Sequence, residues 1–284
     1  MKIRYIIPIL LLIAFIVNSC DKVNPPFVES RDYCSGNKKV LIEDYTGHGC
    51  PNCPDAAVTA HTLKEQFCDR IVIVTVHAGY FATPYFDDDT IFAADFTTEA
   101  GNTWDTFFGN SLKGNPNGLV DRTVFNDSYV IFPQSWGEVA DKLLLEPAEA
   151  TVVLNNDFDN SNNTLTTTVN TEFLNDMPGA YKVIVCITQD NIISPQENNN
   201  HEIGDVPIDS NYVHNHVLRA SLNGSWGENV SSTGNVAMGV KYEHTYTKQF
   251  PEAWKPEDCH VVAFVYDEET KQVLQVEELA VLEE

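Results

Sequence analysis

Lys38-Lys-Val-Leu-Ile-Glu-Asp44-Tyr-Thr-Gly47-His-Gly-Cys50-Pro-Asn-Cys53 is the stretch on which the fold turns. Its first part, 38–47, is an apolar run closed by a glycine, which predicts a strand ending in a turn. Beyond it Ala56, Ala60, Leu63 and Phe67 fall at i, i+4, i+7 and i+11, one apolar stripe of a helix. Arg70-Ile-Val-Ile-Val-Thr-Val-His77 is then almost wholly β-branched, the mark of a strand buried on both faces. A strand, a helix and a strand joined at this length predict a parallel βαβ unit. Further out, 78–95 reads as a long loop rich in aromatics and aspartates. A weaker helix is predicted over 96–108, a short strand over 118–122 and a helix over 135–145.

Pro147 marks a change of style. From there on the pattern is alternating strands and almost no helix, with candidates at 149–156, 164–173, 181–189, 213–220, 238–249, 260–267 and 272–279. Seven such strands predict a two-sheet sandwich of immunoglobulin type, with the polar stretch 190–211 as an inserted loop. The expected fold is therefore an α/β domain over 38–147 followed by an all-β sandwich domain over 148–284.

The chain opens with Lys2 and Arg4 before an apolar run over 6–17, too short to span roughly 30 Å of hydrocarbon as a helix. It reads as a signal peptide over 1–19. Ser19-Cys20 resembles a lipoprotein cleavage site, at which Cys20 would take the lipid and become the new N-terminus; an ordinary secretory signal with a coincidental cysteine is the alternative. Residues 20–37, with Pro25-Pro26 among polar neighbours, are expected to form a tether. The whole chain carries a net charge of −24, and losing Lys2 and Arg4 makes the mature form more acidic still. Such a chain repels nucleic acid and anionic headgroups, so neither is expected as a partner; the membrane is met through the lipid on Cys20.

With Cys20 set aside, six cysteines remain for an oxidising compartment. Cys50-Pro-Asn-Cys53 follows a buried strand and opens a helix, where unpaired N–H groups and the helix dipole favour a thiolate. Pro51 suits a first helical turn. Cys50 is expected to be the exposed nucleophile and Cys53, one turn on, the residue that resolves a mixed disulfide. A zinc site using His48, Cys50 and Cys53 and an inert staple closed between the two cysteines are the competing readings. Pro54 stands where covalent haem attachment needs a histidine. The others are expected to pair as Cys34–Cys68, flanking the first strand and helix, and Cys186–Cys259, on two strands of the sandwich.

The strand, Asp44, the CxxC pair and the helix together resemble thioredoxin-like proteins. That resemblance implies that Asp44 is a buried carboxylate that takes a proton from Cys53. It also implies that Asn115-Pro116-Asn117 is a cis-proline loop facing the pair, although Asn115 departs from the usual apolar residue or threonine. Longer stretches resemble Bacteroidetes lipoproteins related to a twenty-eight-kilodalton outer membrane protein. These are Glu43-Asp-Tyr-Thr-Gly through Cys50-x-x-Cys-Pro54, Val76-His-Ala-Gly-Tyr-Phe81, Gly114-Asn-Pro-Asn-Gly-Leu-Val-Asp-Arg122 and His214-Asn-His-Val-Leu-Arg219. This implies an outer-membrane lipoprotein, facing the periplasm or the cell surface, with a thioredoxin-like domain and a β-rich one. It brings no settled activity.

Three further clusters are weighed. His214 and His216 alternate and would share one strand face, a candidate metal site if His201 lies near, but a packed or solvent-facing strand is the simpler reading. Asp157, Asp159, Ser161 and Asn163 have the odd spacing of a calcium loop without its central glycine, and a polar hairpin turn is expected. Asp87-Asp88-Asp89 reads as a solvated loop. No metal and no cofactor is expected. Two functions stay open: thiol–disulfide exchange with extracytoplasmic proteins or peptides through Cys50, Cys53, Asp44 and Pro116, or a non-catalytic binding lipoprotein whose CxxC is structural.

Overall fold

A computed structural model describes residues 32–84 and 90–282. Cys20, the signal peptide and the Asp87–Asp89 cluster lie outside the described residues. The chain begins with β1 (Val40–Thr46), α1 (Cys53–Gln66), β2 (Ile71–His77), α2 (Glu99–Phe108), a one-turn α3 (Asn110–Lys113), β3 (Asn117–Val120) and α4 (Pro133–Leu144). Then come β4 (Ala150–Asp159), β5 (Thr164–Phe173), β6 (Tyr181–Gln189), β7 (Val217–Ser221), β8 (Lys241–Gln249), β9 (Cys259–Asp267) and β10 (Val273–Ala280), with two-residue bridging strands between β6 and β8.

β1 and β2 are parallel, in register from Val40 opposite Ile71 to Thr46 opposite His77. β3 runs antiparallel on the other side of β1, with Tyr45 opposite Asn117. β7 then joins β2 in parallel through Val217 and Thr75, and pairs antiparallel with β6 on its far side. The result is one mixed sheet in the order β10-β9-β6-β7-β2-β1-β3, with a short strand at Glu228–Asn229 added to β6. β8, β5 and β4 form a separate antiparallel sheet.

This sheet crosses the domain boundary expected at 147/148, and Tyr33–Glu284 is one compact unit. Its cores show why. One apolar cluster draws Leu41, Val74 and Val76 from the first half and Ile184, Val262 and Phe264 from the second, packed with Trp104 and Phe108 of α2. On the opposite face, α1 and α4 cover the β1–β2 end through Ala56, Ala60, Leu63, Trp136 and Val139. The three-stranded sheet covers the β6–β9–β10 end, burying Leu165, Val169 and Phe173 against Val183, Val185 and Val261. The two-layered β region therefore exists, but one of its layers is the continuation of the N-terminal sheet.

Two other expectations change. The C-terminal part of the 20–37 tether is docked: Tyr33 packs edge-on against Phe67 at 4.8 Å, and Arg70 donates to the carbonyls of Tyr33 and Ser35. Cys34 and Cys68 are disulfide-bonded as expected, but Cys186 and Cys259 are free and buried. Strand pairing explains this. Cys186 lies opposite Val262, three residues from Cys259, so the two side chains leave the sheet on opposite faces. Cys186 joins the core shared with α2, and Cys259 the core under the three-stranded sheet.

Candidate functional site

β1 delivers its last residues to the edge of a turn. Cys50 N–H donates to the Gly47 carbonyl and Cys53 N–H to the Cys50 carbonyl, so the motif is one tight turn leading into α1. The helix starts at Cys53, and Pro54 rather than Pro51 occupies its first turn. Gly47 is required by packing, because a Cβ there would lie 2.3 Å from the backbone of Phe81. Cys50 and Cys53 are joined as a disulfide, with Cα atoms 5.4 Å apart. Cys50, expected to be exposed, is only 1% exposed.

Asp44 points from β1 to the α1 face of the sheet and is buried, and its Oδ1 has no hydrogen-bond partner. Burial without a compensating cation pushes its carboxyl up to about 7. A cavity of about 470 Å³ is lined by Asp44, Cys53, Ile73, Tyr212 and His214 among others, so carboxyl and sulfur share one space. The Asn115–Pro116 peptide is cis. The β1–β3 register sets Asn117 opposite Tyr45, which brings the proline loop beside the end of β1 where the motif begins. Asn115 and Pro116 line a groove with Asn52, Asp55 and Phe132. The sequence-predicted set of Cys50, Cys53, Asp44 and Pro116 is thus gathered at one end of the sheet.

The histidines fall differently. His216 has a left-handed backbone, φ 55°, which breaks the strand predicted over 213–220. His214 turns inward, 5.7 Å from His77 between ring centroids, and donates through Nε2 to the Ser194 carbonyl at 3.2 Å. Burial lowers His77 well below the usual histidine range and takes His214 down to about 4. His216 instead meets Asp190, Nδ1 to Oδ1 at 3.3 Å, and His201 is exposed. Among the described residues no three such side chains are placed to hold a metal ion. The calcium-like stretch is the β4–β5 hairpin turn, in which Asp159 accepts from Ser161 N–H and Asn162 Nδ2.

Two further features were assigned no role from the sequence. Arg122 is fully buried, pairs with Glu43 through two hydrogen bonds of 2.7 and 2.8 Å, and lies over the rings of Trp104 and Phe264 at 5.0 Å. Consecutive left-handed residues, Asp121 and Arg122, turn it inward after β3. The other is a strap, 194–200, within the polar loop. Glu197 N–H donates to the His48 carbonyl and Asn199 N–H to that of Pro51. Gln196 Nε2 donates to the carbonyls of Gly47 and Cys50. Such a run of asparagines has no periodicity from which packing could be read.

A disulfide at a helix start, with a buried carboxyl behind it on a mixed sheet, defines the class. Residues 102–284 match the outer membrane protein Omp28 family, and the chain belongs to that family. This is the lipoprotein family its motifs resemble, and its place is the outer membrane. Among the described residues no helix is long and apolar enough to cross a membrane. No curated protein matches the sequence. The fold is similar to that of HBP35 of Porphyromonas gingivalis, with a TM-score of 0.62 and 16% identity over 87% of this chain and 76% of that one. It is also similar to a protein of Agrobacterium tumefaciens, with a TM-score of 0.53 and 12% identity over 88% and 97% of the two chains. A domain of the outer membrane lipoprotein Omp28 from Porphyromonas gingivalis is 22% identical, covering 47% of this chain and 88% of that one at a TM-score of 0.33.

Proposed function

We propose that this protein is a thiol–disulfide exchanger, held at the outer membrane by lipid on Cys20 and acting on extracytoplasmic proteins or peptides. The observation that carries the reading is the unpaired Asp44 carboxyl, raised to about 7, lining the same cavity as Cys53. In this reading residues 38–147 are thioredoxin-like, and the layered β region over 148–284 is an immunoglobulin-like module fused to it through the shared sheet.

From the oxidised form, a partner thiolate attacks the Cys50 sulfur and forms a mixed disulfide, and the Cys50–Cys53 bond breaks. Cys53 leaves with the electron pair and takes the proton held by Asp44. A second partner thiolate then attacks the partner's sulfur and releases Cys50 as a thiolate, so the partner is oxidised by two electrons. In reverse, the Cys50 thiolate attacks a partner disulfide and expels one partner thiolate; Cys53 then attacks the Cys50 sulfur of the mixed disulfide, giving its proton to Asp44 and releasing the second thiolate. Pro116 and Asn115 border the groove along which a substrate chain would lie. No cofactor takes part.

The burial of Cys50 favours a second reading, a binding lipoprotein in which the pair is a staple. Reduction potential separates them. Exchange requires a value in the range of thioredoxin-like exchangers, roughly −120 to −270 mV, and a staple lies below about −300 mV. Cys53→Ser should accumulate partners bound through Cys50, and Cys50→Ser none. A Cys53→Ser protein that captures nothing, with a potential in the staple range, removes the exchange reading. Intact mass of membrane-extracted protein should show a chain beginning at a lipid-bearing Cys20.

A further inference from the structure

We propose that the strap 194–200 is a built-in pseudosubstrate that closes over the Cys50–Cys53 disulfide and must lift before a partner reaches it. The proposal rests on the exchange reading for its consequence, but its geometry stands apart from it. An extended segment of the chain's own backbone offers two N–H groups, from Glu197 and Asn199, to the carbonyls of His48 and Pro51 that flank Cys50. Two main-chain donors spaced two residues apart are what any extended polypeptide presents along one edge. Gln196 adds side-chain bonds of 3.2 and 2.9 Å to the carbonyls of Gly47 and Cys50, and is itself buried. At the rim, Asn199 donates to Asn52 Oδ1 at 3.3 Å and Asn200 to Asp55 Oδ1 at 2.7 Å, so the strap is tied to the residue between the two cysteines and to the first turn of α1.

Closure has a direct chemical effect. A thiolate attacking a disulfide must approach its target sulfur along the S–S axis, and a cysteine that is 1% exposed offers no such path to a protein. Opening breaks polar contacts, not apolar ones. Gln196-Glu-Asn-Asn-Asn200 contains no apolar side chain, so lifting it exchanges hydrogen bonds with the motif for hydrogen bonds with water and uncovers no strap core. The strap also keeps its own shape. Buried Asn198 donates to the carbonyls of Asn200 and Asp205, and its N–H to that of Pro207, so 198–207 moves as a closed loop. A polar, internally braced segment lying on the motif backbone is a lid that can swing as a body.

The test is the reduction kinetics of the full-length oxidised protein. Dithiothreitol is the probe, with quenched alkylation and peptide mapping to separate Cys50–Cys53 from Cys34–Cys68. Wild-type reduction should reach a plateau as dithiothreitol is raised, because strap opening becomes limiting. In Asp55→Ala/Asn200→Ala, a surface double variant, and in Gln196→Ala, reduction should be faster by about tenfold or more. The amides of Glu197 and Asn199 should exchange with solvent faster in these variants, with those of β2 and β6 unchanged, which also shows that the fold is kept. A wild-type rate that stays linear in dithiothreitol and equals that of both variants overturns the strap. Strap-dependent rates with no partner trapped by Cys53→Ser uphold the strap and sink exchange. Trapped partners with strap-independent rates do the reverse.

Discussion

Glu43 and Asp44 are neighbours on one strand and lie in opposite worlds. Alternation sends Glu43 to the face packed by α2, where it meets a buried guanidinium through two hydrogen bonds inside a ring of aromatics. Asp44 goes to the face packed by α1 and meets a cavity and no cation. Both are almost wholly buried, so burial is not what separates them. A carboxylate with its partner built in is part of the core. One left without a partner keeps its proton near neutral pH, on a cavity that Cys53 also lines.

The contrast can be broken by experiment, and the largest effect is expected on the Glu43 side. Glu43→Gln leaves Arg122 buried beside a neutral amide and should cost about 3–5 kcal/mol in urea unfolding. A loss under about 1 kcal/mol would put the two carboxylates in the same class.

Asp44→Asn should act with the opposite sign. The unfolded chain ionises Asp44 above its ordinary value near 4, and the folded chain holds the proton to about 7. Folding therefore takes up a proton between those limits, and stability is lost as pH rises from about 4 to about 7. At about 1.4 kcal/mol per pH unit, the variant should be more stable than wild type by roughly 4 kcal/mol at pH 8 and equal to it below pH ~4. Parallel stability-pH curves for the two proteins would mean that Asp44 has a partner in solution. The same variant should slow disulfide exchange, and the pH dependence of the wild-type rate near 7 should flatten; an unchanged rate profile would leave Asp44 with no part in the chemistry.

The smallest effect concerns the two free cysteines, which extend the comparison to thiols. Cys186 shares the core of the Glu43 face, and burial pushes its thiol far up; Cys259 is pushed up to about 12. Neither should react with iodoacetamide in the native protein, and both should in urea. Recovery of a Cys186–Cys259 disulfide peptide would contradict the strand register.

Much of the backbone was legible because its signals are local. The stripe Ala56, Ala60, Leu63 and Phe67 packs as one face of α1, and the β-branched run after Arg70 is a strand buried on both faces. β5 reads Leu165, Thr167, Val169, Thr171, Phe173 inward without a break. The cysteine spacing and Asp44 located the site for the same reason: six residues on one strand, one turn and one helix start hold them in fixed relation. Failure came where contacts are remote. The predicted Cys186–Cys259 link needed the register of β6 on β9, and a three-residue offset, invisible in either strand alone, puts the sulfurs on opposite faces.

The sequence by itself determined the βαβ unit, the CxxC pair at the start of a helix and the Cys34–Cys68 bridge. Tertiary structure decided which strands share a sheet, since β7 returns from beyond the strap to pair with β2 and so joins the two halves into one core. It also decided that Glu43 has a cation and Asp44 has none, and that the Cys50 carbonyl meets a side chain 146 positions away. Periodicity and turn chemistry act over a few residues, and a sequence shows them directly. A salt bridge, a sheet register and a strap hydrogen-bonded to the backbone of a remote turn exist only once distant segments have been packed together.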